Sequence, residues 1–137
     1  MVAADEKGRR SLRVLVAEDN AQVRQELCGL LGLLPGVEVV GEAADGVNAA
    51  RLAMKLRPDV VLLGLEIRDP DARETARRIR EGLPHCRLVA LTLHGSEGDR
   101  DATQFAEFEI VVGMGAPLET LLAAILGAPV DEGGGNP

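Results

Sequence analysis

The sequence predicts an α/β fold built on a doubly wound, five-stranded parallel sheet, and three observations carry that expectation. Short β-branched and aliphatic runs alternate strictly with segments of helical character, and parallel neighbours need such crossovers. Gly and Pro punctuate most of the junctions. The third run, Asp59 to Leu65, is hydrophobic on both faces, as a central strand of a parallel sheet is.

The first strand is Leu12 to Ala17, LRVLVA, which ends at the acidic pair Glu18 and Asp19. After Asn20, apolar residues fall at Val23, Leu27, Leu30, Leu31 and Leu34, on one face of a helix that Pro35-Gly36 stops. Val37 to Ala43 reads as the second strand, Asp45-Gly46 as a turn, and Val47 to Leu56 as a second helix ending before Pro58. The third strand, within PDVVLLGLEIRDP, runs into Gly64, with a carboxylate at Glu66. A third helix covers Ala72 to Glu81 and is closed by Gly82 and Pro84. Arg87 to Leu93 is the fourth strand, and a fourth helix near Arg100 to Phe105 has little apolar periodicity. Ile110 to Val112 is a short fifth strand. Pro117 suits the first position of a last helix, whose apolar face is Leu118, Leu121, Leu122 and Ile125 and whose stop is Gly127.

The chain is therefore read as one domain over residues 12–127, with a disordered segment at 1–11 and a linker-like tail at 128–137. With two Phe and no Trp or Tyr, the core rests on Leu, Val, Ile and Ala, and stacking on nucleic-acid bases is disfavoured. A net charge of -7 repels a phosphate backbone, so direct nucleic-acid binding by this domain is not expected. Arg73, Arg77, Arg78 and Arg80 read as the solvated side of the third helix. Cys28 and Cys86 lack metal-ligand spacing and read as reduced core thiols. His85 and His94 read as surface residues, and a pH sensor is the alternative. The apolar runs are of strand length and the N-terminal stretch is polar, so a cytoplasmic protein with no membrane contact is expected.

In a doubly wound sheet the ligand crevice lies outside the carboxyl ends of the strands. The residues there are Glu18, Asp19 and Asn20 after strand one, Gly64 after strand three, Thr92 near the end of strand four and Met114 past strand five.

Through the segments RVLVAEDN, VEVVGEAADG, RPDVVLLGLEI, ARRIREGLPHCRLVALTLH and GAPLETLLAAI, residues 12–126 resemble the receiver domain of two-component response regulators. The likeness is strongest to LuxR/NarL-type transcription regulators. That resemblance implies a flavodoxin-like (βα)5 fold with strand order 2-1-3-4-5. It also implies a mechanism: an aspartate ending strand three takes a phosphoryl group, two acids after strand one hold Mg²⁺, and a Thr or Ser and a Lys receive the new charge. Carried over, Glu18 and Asp19 match the acids and Thr92 the hydroxyl. Gly64 falls on the phosphoacceptor, Met114 on the lysine and Val111 on the aromatic switch position.

The departures shape the expected function. Gly64 offers no nucleophile, Met114 no cation and Val111 no swinging ring, while Glu18 and Asp19 alone promise at best a weak Mg²⁺ site. A retained turn at the start of helix one is the alternative role for the acidic pair. Thr92 can be simply structural. Glu66 shares the side of Gly64 if the strand continues, and either leans into the vacated space or is a solvated loop carboxylate near Arg68. The expectation is a non-enzymatic pseudo-receiver with no cofactor, working by protein–protein contact. Its dimerisation would run through the fourth helix, fifth strand and fifth helix, and its output through an attached C-terminal DNA-binding domain. The competing readings are a small-ligand sensor, using a crevice emptied at Gly64 and lined by Met114, and a receiver phosphorylated at Glu66.

Overall fold

The computed structural model describes residues 11–92 and 107–127. Its strands are β1 (Leu12–Ala17), β2 (Val37–Ala43), β3 (Val60–Gly64), β4 (Arg87–Thr92) and β5 (Ile110–Gly113). Its helices are α1 (Ala21–Gly32), α2 (Gly46–Leu56), α3 (Ala72–Gly82) and α4 (Leu118–Leu126). The strands form one sheet in the order β2-β1-β3-β4-β5, all pairs parallel.

Alternation along the strands splits the core in two. Leu15, Ala17, Val61, Leu63, Leu88 and Ala90 face α2 and α3, meeting Ala49, Ala53, Ala76 and Ile79. Val14, Val16, Leu62, Val89 and Leu91 face α1 and α4, meeting Leu27, Leu31, Leu121 and Ile125. All five residues of β3 are buried, as its two-sided hydrophobic pattern requires.

Helix starts follow local chemistry. The side chains of Asn20, Asp45 and Asp71 each accept a backbone N–H three residues on, from Val23, Asn48 and Glu74. Asp45 therefore starts α2 at Gly46, one residue before the expected Val47. Gly46 is where α2 approaches α3: a Cβ there would collide with Pro70 O and Thr75 Oγ1. Gly127 stops α4 in the left-handed conformation, with φ of 84°.

Several boundaries correct the sequence-based expectation. β3 is shorter than Asp59 to Leu65, because the chain turns after Gly64, where Ile67 N–H donates to Gly64 O at 3.2 Å. β5 extends one residue further, to Gly113. Pro117 caps α4 from outside with ψ of 151° rather than forming its first turn. The helix expected near Arg100 to Phe105, the end of the fourth strand at Leu93, and both terminal segments lie outside the described residues.

Arg73, Arg77 and Arg78 lie on the exposed side of α3, as expected, and Arg80 departs from that reading. Arg77 and Arg78 pair with Glu74, and Arg77 also with Glu81. Arg80 turns away from solvent. Its guanidinium donates to Pro84 O, Cys86 O and Glu107 O at 3.0, 2.6 and 2.8 Å, and to both Glu109 oxygens at 3.0 Å.

Candidate functional site

The carboxyl ends of β1, β3 and β4 lie side by side, and the register sets what meets there. Ala17 pairs with Leu63, so Glu18 comes level with Gly64, and Gly64 pairs with Leu91, next to Thr92. Thr92 is buried and pairs with Gly113 of β5.

Glu18 is only 1% exposed, the most buried ionisable side chain described. Its backbone is held at both ends: its N–H donates to Ala43 O at 2.9 Å, and its C=O accepts from Arg24 Nη1 at 2.7 Å. The side chain turns inward, where Oε2 accepts the Asn20 N–H at 3.0 Å. Its other oxygen lies over Gly64. A Cβ built on Gly64 would collide with Glu18 Oε1 and stand 3.1 Å from Glu18 Cδ. The side chain adjacent to Gly64 in the space open beyond that residue is thus Glu18. Burial, with the neighbouring Asp19 and Glu66 carboxylates, pushes the Glu18 carboxyl up to about 7, against the Asn20 N–H, which favours its ionised form.

The other expected site residues divide. Asp19 is exposed beside Glu18. Glu66 does not follow strand alternation, since the turn at Gly64 to Ile67 ends the extended backbone. It is a half-buried turn residue whose Oε1 is shielded from solvent and whose charge acts on Glu18. Val111 packs against the α2/α3 core.

Met114 corrects the expectation of a Met-lined crevice at Gly64. Its N–H donates to Thr92 O at 2.8 Å, while its side chain packs against the α1/α4 core. There it lines an apolar cavity of about 110 Å³ with Leu27, Leu30, Val112, Leu118 and Leu121. The residue level with Thr92 at the end of β5 is Gly113, which sequence reasoning did not single out and which also brings no cation.

The donors left at the strand ends do not fit a Mg²⁺ centre. Position 64 supplies no side-chain oxygen, and Glu18 has one oxygen on a backbone N–H and the other against Gly64. Among the described residues no group of three or more His, Cys, Asp or Glu is placed to hold a metal ion.

This strand order, with acids and a threonine at the carboxyl ends, defines a CheY-like α/β domain. The chain belongs to the response regulator receiver domain family, which matches residues 14–112. It is 38% identical over 81 residues to the transcriptional regulatory protein LiaR of Bacillus subtilis, covering 59% of this chain and 38% of LiaR. It is 42% identical over 82 residues to a protein-glutamate methylesterase/protein-glutamine glutaminase of Myxococcus xanthus, covering 60% of this chain and 23% of that protein. Among solved structures, a LuxR-family two-component response regulator from Aurantimonas superposes with a TM-score of 0.75 at 27% identity, over 86% of this chain and 87% of that one. The matched segment spans less than two fifths of either curated relative. Among the described residues no helix is long and apolar enough to cross a membrane.

Proposed function

We propose that this chain is a pseudo-receiver: a response regulator module that signals by protein–protein contact without aspartyl phosphorylation. The observation that carries this reading is Gly64, buried at the end of β3, where the resemblance places the phosphoacceptor and where no nucleophile exists. The surroundings support it. Gly113 and Met114 bring no cation to the end of β5, and charge-assisted contacts to a phosphoryl group would be correspondingly fewer. Glu66 lies in the turn after β3, two residues past the acceptor position, with only one oxygen, Oε1, shielded from solvent. No resident cofactor is needed for such a role.

The likeness to LiaR and to the Aurantimonas LuxR-family regulator supports a C-terminal DNA-binding output domain and control of transcription in the cytoplasm. Output would follow a homodimer that forms without phosphate, through β5, α4 and the segment near Arg100 to Phe105, which lies outside the described residues. Sedimentation of the chain with and without beryllofluoride and Mg²⁺ tests the proposal. The same oligomeric state in both conditions is expected. A monomer that dimerises only on adding the phosphoryl mimic would overturn it.

A further inference from the structure

Helices α1 and α4 cover the same side of the sheet without closing on one another. α1 packs on β1 and β2, and α4 on β4 and β5. Between them lies the apolar cavity of about 110 Å³. Its floor is Leu91 of β4 and Val112 of β5, and its walls are Leu27 of α1 and Leu121 of α4, all buried. The sequence leaves it unfilled, because Gly113 and Ala116 bring no large side chain to it. Met114, between them, is unbranched and polarisable, and can adapt to an occupant. Leu30 and Leu118 also line the cavity and are 42% and 43% exposed, so it opens to solvent between α1 and the start of α4.

The lining selects its guest. None of these side chains carries a charge or a hydrogen-bonding nitrogen or oxygen. The N–H groups of Met114 and Ala116 already donate to Thr92 O at 2.8 Å and Gly113 O at 3.0 Å. A polar or ionised guest would give up its water and gain no partner in exchange. An apolar guest restores the dispersion contacts that the lining side chains lack across an empty space. Apolar cavities of about 150 Å³ stay dry and take up benzene. This one is smaller but open on one side, so a guest of that size need not be wholly enclosed. We infer that the cavity is a binding site for a small, neutral, apolar molecule of about the size of benzene. The site shares no lining residue with Glu18 and Gly64, and it stands whether or not the chain takes a phosphoryl group.

The test is a titration of the whole chain with benzene, followed through the methyl resonances of its methionines, with charged benzoate as the control. Met114 lines the cavity, whereas Met54 sits on α2, on the other side of the sheet against Gly82. Benzene is expected to shift the Met114 methyl saturably and leave Met54 unmoved, and benzoate to shift neither. At ten times its Kd, benzene should raise the melting temperature by about 4–7 °C. Ala116→Leu, which puts a larger side chain into the cavity, should weaken benzene binding at least tenfold. If that variant does not fold, Leu30→Phe, at the mouth, takes its place with the same expectation. No saturable shift up to the solubility limit of benzene overturns the assignment, as do equal shifts at Met54 and Met114. Benzoate binding as tightly as benzene also overturns it, and so does benzene affinity unchanged in the folded variant.

Discussion

Glu18→Gln probes the buried carboxyl directly, because it removes the charge and keeps an oxygen for the Asn20 N–H. Glu18 has its folded pKa raised from the ordinary 4.5 to about 7 by burial first and by Asp19 and Glu66 next. For an acid with a raised folded pKa, the native state binds more protons than the unfolded chain between the two values, so stability falls as pH rises through that window. The gap between 4.5 and about 7, at ~1.4 kcal/mol per pH unit, amounts to about 3 kcal/mol lost once the pH is above both values. Part of that loss has already occurred at pH 5, so about 2–3 kcal/mol remains between pH 5 and pH 8. Glutamine cannot titrate. The stability of the variant relative to the wild type, from urea unfolding, should therefore rise by about 2–3 kcal/mol from pH 5 to pH 8. A difference that stays constant across this range, or a wild type whose stability rises with pH while the variant's is flat, would refute a carboxyl buried against Gly64.

Two other consequences concern the scaffold. Arg80→Ala removes the donor joining α3 to the turn before β4 and to the segment before β5, and is expected to cost about 2–4 kcal/mol in chemical denaturation. A loss below about 0.5 kcal/mol, ordinary for a surface substitution, would show the network to be incidental. Burial pushes the Cys86 thiol up to about 11, and Cys28 is only half-buried. Iodoacetamide at pH 8 should therefore modify Cys28 well before Cys86 in the native chain, with the two rates converging in urea. Faster native labelling of Cys86 would contradict its placement in the core.

Much of the fold was legible because its signals are local. Strand runs, Asn and Asp before helices, and Gly or Pro at stops are read a few residues at a time, and the structure's strand order matches that of the resembling family. The site was legible as a set of strand exits, and Gly64 was visible as a missing side chain. Its occupant was not. That Glu18 reaches Gly64 depends on the β1–β3 register and on an inward turn at Asn20, neither of which is a property of residues adjacent in sequence. Glu66 was placed by strand alternation, which fails once the chain turns at Gly64. Met114 was expected in the crevice because it follows β5, but β5 runs on to Gly113, and Met114 packs against the α1/α4 core.

The central claim, that this receiver takes no phosphoryl group, meets its most direct test in the intact mass of the wild-type chain after incubation with acetyl phosphate and Mg²⁺. With Gly64 at the acceptor position and Glu18 lying over it, the mass should be unchanged. A stable phosphoryl adduct mapped to Glu18, Asp19 or Glu66 would contradict it.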